Sequence, residues 1–268
     1  MQQTPKDTRA FSALVKVVEA LRGPDGCPWD KEQTHSTLTQ YAIEEAHELA
    51  EAIDQNDWRG IVEELGDLLL QVVLHSEIGR QNGQFAVEDV IQSITEKMIR
   101  RHPHVFGDVK VSGRNEVLAN WVQLKDKEKS SGGWASSIPS SLPALVRAQK
   151  IGDKTVRRGF DWSTAEEVLQ KVEEEIVELR QAIDKKDFEN QQEELGDVLF
   201  TLVQVARHLH FDAEQALRKS NRKFETRFQK MLELIRQDEK VQANLSIVEL
   251  EQYWQKAKAQ LANVDPKI

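Results

Sequence analysis

One acidic pattern occurs twice in this chain, in register, and any fold proposed for it must account for both copies. Residues 44–48 read EEAHE and residues 63–67 read EELGD; residues 174–178 read EEIVE and residues 193–197 again read EELGD. Each acid of the first set returns 130 positions on: Glu45 as Glu175, Glu48 as Glu178, Glu64 as Glu194 and Asp67 as Asp197. A merely solvated charged face has no reason to keep such a register.

Within each set the acids stand three apart, which on an α-helix puts both carboxylates on one face, one turn apart. Asp184-Lys185-Lys186-Asp187, and Asn56-Asp57 in the first copy, read as turns between two helices that return antiparallel. Four carboxylates then converge from facing helices. That donor set suits a hard divalent cation, which keeps waters for a phosphate substrate to displace. Glycine costs about 0.5–1 kcal/mol in a helix interior, so Gly66 and Gly196 are expected where a backbone or ligand comes close.

The totals narrow the class. A chain of 268 residues has room for one or two domains with their own cores. The single cysteine, Cys27, excludes an intrachain disulfide. No apolar run is long enough to span a bilayer, and MQQTPKDTRAF has no signal-peptide core, so a cytoplasmic location without membrane attachment is expected. A net charge of −9 argues against a broad nucleic-acid surface. It does not exclude a polyphosphate ligand, because metal and a few Lys/Arg side chains can offset local repulsion.

Apolar periodicity predicts helices over 11–21, 37–54, 58–78 and 85–101 in the first half. Cys27-Pro28-Trp29-Asp30 is expected to be extended, and 79–84 to be a loop. The tract KSSGGWASSIPSSLP, 129–143, reads as a linker between a unit spanning 1–128 and one spanning 144–268. Beyond it helices are predicted over 164–184, 188–210, 212–237 and 246–261. No alternating strand pattern is strong, so the fold class is all-α: a duplicated helical-bundle unit. From Asp67 to Phe85 is 18 residues and from Asp197 to Phe211 is 14, which reads as a loop four residues longer in the first copy.

Past that slip the copies align with an offset of 126, pairing Lys97 with Lys223 and Arg101 with Arg227. In both halves a Trp and a Lys follow four apart, Trp121/Lys125 and Trp254/Lys258. Such cations can neutralise a triphosphate, and an indole can stack on a base. Other candidates weaken on inspection. Glu44-Glu45-Ala46-His47 contains the di-iron spelling Glu-x-x-His, but Val177 stands in the histidine place of the second copy. His102-Pro103-His104 reads as a helix terminus, and His208 and His210 as packing or partly exposed residues. Glycine-rich phosphate loops, zinc spacings and nucleophile elbows are missing.

ExxE followed by ExxD, at Glu175/Glu178 and Glu194/Asp197 and again at Glu45/Glu48 and Glu64/Asp67, resembles the MazG family of all-α nucleoside triphosphate pyrophosphohydrolases. WDKEQT at 29–34 and RHPHVFG at 101–107 are similar to its two-domain bacterial members, and the likeness runs over essentially the whole chain. The resemblance implies Mg²⁺ bound by Glu175, Glu178, Glu194 and Asp197, the acids that carry catalysis. It implies nucleotide contacts from Lys171, Glu174, Glu193, Lys223, Arg227 and Trp254 and a phosphate contact from Lys258. It further implies homodimers, a catalytic C-terminal half, and hydrolysis between the α- and β-phosphates with wide base tolerance. Glu45, Glu48, Glu64, Asp67, Lys97, Arg101, Trp121 and Lys125 form a possible second site, in which Pro103 cuts the helix just after Arg101. Competing readings are a narrower dUTP or phosphoribosyl-ATP pyrophosphohydrolase and a non-catalytic helical interaction module.

Overall fold

The computed structural model describes residues 7–117, 120, 121, 124 and 138–264. All regular structure among them is helical, and the chain divides into two compact units, Met1–Glu128 and Lys129–Ile268. Of the Ser/Gly/Pro tract, 129–137 lie outside the described residues, while Ile138 is buried.

In the first unit α1 (Phe11–Arg22), α2 (Pro28–Glu32), α3 (Thr39–Gln55), α4 (Trp58–Gln81), α5 (Val87–Arg101) and the single turn α6 (Pro103–Phe106) follow in order. In the second come α7 (Ala144–Val156), α8 (Ala165–Lys185), α9 (Phe188–His208), α10 (Ala213–Gln237) and α11 (Ile247–Val264). The closest-packed pair in each is the acidic one, α3 with α4 and α8 with α9.

The turns inside those pairs are built alike. Asn56 and Lys186, 130 positions apart, both take the left-handed conformation that ends a helix (φ 57° and 56°). Asp57 and Asp187 follow at once as N-caps, each side chain accepting from backbone N–H groups of the next helix. Thr164 caps α8 and Asp212 caps α10 in the same manner.

Three expectations need correction. Pro28 at the first helical position lets 28–32 form a short helix, so only Cys27 of the predicted stretch is extended. Residues 79–81 continue α4 instead of opening a loop. Consequently the four extra residues of the first copy are not a longer loop. Three of them lengthen α4 relative to α9, and one lengthens the connection that follows.

The first unit's core gathers Val18 of α1, Leu38 ahead of α3, and Val73, Leu74 and Ile78 of α4. In the second, Met231, Leu234 and Ile235 of α10 pack on Tyr253 and Ala257 of α11. The buried residues of α8 are Val168, Val172, Glu175 and Ala182, and those of α9 are Val198, Thr201, Val203 and Gln204, the last lying against α7. Leu38 is 1% exposed and touches three helices' worth of side chains. Its replacement by Ala should cost about 2–5 kcal/mol, the usual loss for a buried leucine, read as a lower urea midpoint; an unchanged midpoint contradicts this core.

Candidate functional site

Glu175 belongs to the buried stripe of α8. Val168, Val172, Glu175 and Ala182 stand four, three and seven apart, so one helix face carries them all, and packing against α9 buries the acid with the valines. Glu175 is 7% exposed, Glu194 is half-buried and Asp197 exposed. One carboxylate oxygen from each of these three lies within 4.8 Å of the others. The first unit repeats the arrangement with Glu45, Glu64 and Asp67, all half-buried and again within 4.8 Å. Both are acidic groups that could hold a metal ion.

The fourth acid of each set stands beside the trio. Partial burial pushes Glu178 above the ordinary carboxylate range; Lys171 draws it down, while Glu175 and Glu194 push it up. Glu45 is raised by burial first, then by repulsion from Asp67, Glu48, Glu64 and Glu44. Glu64 is likewise raised by burial and then by Glu48, Asp67 and Glu63. Like charges held this close favour either a proton or a cation.

Here the copies part. In the second unit Lys171 Nζ sits 2.8 Å from Glu174 Oε1 and 2.9 Å from Glu175 Oε1, which keeps its ammonium charged well beyond the ordinary lysine range. In the first unit the matching position is Tyr41, which packs against the core and meets Trp29 edge to face at 6.0 Å. Glu193 and Glu63 are exposed on the outer side of their helices.

The remaining predicted residues lie on the other helices. Lys223 and Arg227 are on α10 and Lys258 is on α11, with Trp254 half-buried against Phe224 at 5.1 Å. In the first unit Arg101 lies over the Trp121 ring at 5.5 Å, and Lys97 lines an open hollow of about 350 Å³ with Phe85 and Ile94. Lys125 lies outside the described residues. His102 Nδ1 is 2.7 Å from the Met98 carbonyl, at the end of α5, as expected of a terminus.

Gly66 and Gly196 do not mark a close protein neighbour: a Cβ at either would meet nothing within 4 Å. The glycine where crowding is real is Gly152, whose added Cβ would fall 1.9 Å from Gln204 Oε1. His208 is half-buried, and its Nε2 lies 3.2 Å from Asp161 Oδ1. Sequence reading also missed a basic band on α10, Arg218, Lys219 and Arg222 beside Lys223, Arg227 and Lys230. The matching first-copy positions are Gln92, Ser93, Glu96, Lys97, Arg101 and His104. Comparing the copies for differences, not only for shared letters, would have found it.

Comparison with known proteins accords with this geometry. The family model for the MazG nucleotide pyrophosphohydrolase domain matches twice, over residues 33–106 and 163–232, each match containing one acidic helix pair. The chain is 48% identical over 248 residues to nucleoside triphosphate pyrophosphohydrolase/pyrophosphatase MazG of Thermotoga maritima, covering 92% of this chain and 95% of that protein. It is 42% identical over 255 residues to the nucleoside triphosphate pyrophosphohydrolase of Escherichia coli K12, covering 92% and 96%. Against the uncharacterized protein YabN of Bacillus subtilis it is 46% identical over 251 residues, 92% of this chain but 51% of that one. Two domain matches, relatives similar over nearly their whole length and two acid-lined helix pairs together place this all-α chain in the MazG nucleotide pyrophosphohydrolase family.

Proposed function

We propose that this protein is a Mg²⁺-dependent nucleoside triphosphate pyrophosphohydrolase, cleaving between the α- and β-phosphates to a nucleoside monophosphate and pyrophosphate. The observation that carries the proposal is the convergence of Glu175, Glu194 and Asp197 on one point, with Glu178 beside them and Lys171 against Glu175. The names of the relatives support it.

All-oxygen donors with a surplus of negative charge fit a hard divalent cation. Glu175, Glu194, Asp197 and Glu178 would hold Mg²⁺, which when bound supplies charge neutralisation and polarisation of the phosphate. Lys171 holds the Glu175 carboxylate in place, so Glu178, outside the closest trio, is assigned to orient the attacking water and take its proton through the carboxylate oxygen that does not face the metal. Lys223, Arg227 and Lys258 are assigned to the leaving pyrophosphate, whose growing charge they stabilise. Glu174, Glu193 and Trp254 are assigned as further nucleotide contacts.

We place the activity in the second unit. It alone has a lysine at this position, Lys171, and the six band positions of α10 are all cations where the matching first-copy positions hold two cations and an acid. The first unit's acids then serve as an architectural or weak metal cluster. We further assign a homodimer, because both units leave the same apolar stripe exposed. Trp58, Leu65, Leu69 and Val72 on α4 recur as Phe188, Leu195, Leu199 and Leu202 on α9, each at least 41% exposed. Contiguous apolar stripes of that kind are usually covered by a partner. No helix among the described residues is long and apolar enough to cross a membrane.

Glu194→Gln should keep the melting temperature but lower Mg²⁺-dependent pyrophosphate release at least ~100-fold, since even outer-shell partners of a bound metal are worth 10–100-fold; undiminished turnover rejects the site. In the full chain, Glu64→Gln should leave most of that turnover, whereas equal losses from the two substitutions would assign catalysis to both units. Glu45, Glu64 and Glu178 are raised when folded, so their ionisation opposes folding above their folded pKa and the cost disappears as pH falls below the unfolded value. Mg²⁺ should therefore raise the melting temperature more at neutral pH than in the carboxylate range, and a pH-independent increment would contradict binding at these acids.

A further inference from the structure

Two histidines of the first unit face each other where the second unit has none. On the shared offset of 130, His35 and His75 correspond to Ala165 and Val205. His35 Nδ1 lies 2.7 Å from His75 Nδ1, and both side chains are half-buried. The ring planes are 4° from parallel and the centroids 5.1 Å apart. Rings stacked face to face would need a wider gap than that nitrogen contact allows, so they meet edge to edge, nitrogen toward nitrogen. Such a contact is a hydrogen bond when one Nδ1 carries a proton and the other offers its lone pair. The donor ring can take a further proton on its Nε2 and keep the bond. A second extra proton has to enter at the shared edge, which replaces the bond by two facing cations.

The pair holds the 33–38 segment against α4. Within that segment the bonds are local: Thr34 N–H donates to Thr37 Oγ1, Thr37 Oγ1 donates to Gln33 Oε1, and Leu38 N–H donates to the Thr34 carbonyl. Arg22 of α1 holds the Gln33 carbonyl at 3.1 Å. The polar contact toward α4 is His35 itself, which also lies against the Phe85 ring at 5.9 Å. Phe85 is seated on Gly79 of α4, where a Cβ would fall 2.7 Å from its ring. Three residues past His35, Leu38 closes the first unit's core.

Independently of the catalytic assignment, we infer that His35 and His75 form a pH-sensitive latch in the first unit, closed at neutral pH and released in mild acid, which frees the 33–38 segment from α4. The second unit, with Ala165 and Val205 at these positions, has no such latch. The surrounding charges are engaged elsewhere. On α4 Glu77 pairs with Arg80, which Glu19 of α1 also draws. Of the cations on α1, Lys16 is exposed and Arg22 is taken by the Asp30 and Gln33 carbonyls and by Gln81. On α5 Asp89 accepts from the Ala86 N–H and Lys97 lines the open hollow beside Phe85. The acids of α3 begin at Glu44, nine residues past His35. What moves His75 below the ordinary histidine range is burial first and then repulsion from His35. Its folded pKa therefore lies below the unfolded one. The stability this gives is complete above the unfolded value and is lost as pH falls through the folded one.

The test is hydrogen exchange of the full-length protein at about pH 7.5 and about pH 5.5, either side of the ordinary histidine pKa. With rates corrected for their intrinsic pH dependence, protection over 33–42 should fall roughly threefold to tenfold in acid. Protection over the matching 163–172 in the same molecules should not change. His75→Val, copying the second unit, should make protection over 33–42 equal at the two pH values. If that variant does not fold, spectra of the parent labelled with ¹⁵N-histidine decide. They should show one protonated and one bare Nδ1, coupled across the bond at neutral pH and uncoupled in acid. Equal protection in the parent at both pH values, an equal fall in both units, an acid loss that persists in folded His75→Val, or no coupling at neutral pH would each overturn the latch.

Discussion

Carboxylates that approach within bonding reach of each other must be held there by something other than themselves. Two such charges about 4 Å apart repel by ~1 kcal/mol in water and ~4 kcal/mol near a protein surface. In the second unit the restraint is the apolar packing between α8 and α9, where Val168, Val172, Ala182, Val198 and Val203 are buried. A fully buried valine contributes roughly 1.5–3 kcal/mol, so a few of them outweigh the repulsion. Glu175 is carried inward because it shares their stripe. The acidic cluster is thus a by-product of helix packing that concentrates negative charge, and a divalent cation would relieve what the packing imposes.

Duplication gave this chain two such clusters, and their surroundings diverged. Tyr41 supports the first unit's core at the position where Lys171 neutralises the second unit's acids. Leu74 fills the first core where Gln204 borders a cavity. Glu77, buried and paired with Arg80, stands where Arg207 anchors the Asp161 loop. The first two exchanges replace packing in one copy by a polar or charged group in the other, and the third replaces one ion pair by another.

The twofold acidic pattern, the antiparallel helix pairs, the turns between them and the all-α class were legible from spacing alone. They are local properties, set by three- and four-residue periods, by Asn56 and Lys186 between breaker residues, and by the capping aspartates. The short helix at Pro28–Glu32 was missed because a proline that opens a helix and one that ends it look alike without their partners. The run past Ile78 was ended too early at Gly79, which in the structure is a helical residue lying against the Phe85 ring.

By itself, then, the order of residues determined which acids share a helix face, that the arrangement occurs twice, and which family the chain resembles, since periodicity and register are written one residue after another. Only the tertiary structure decided that Glu175 is buried while Asp197 faces water, and that Gly152 lets Gln204 and Arg207 close a network with Asp161. The Arg207–Asp161 contact joins residues 46 positions apart. Nothing in local spacing encodes which distant side chains will meet; that is settled when α7, α8 and α9 pack.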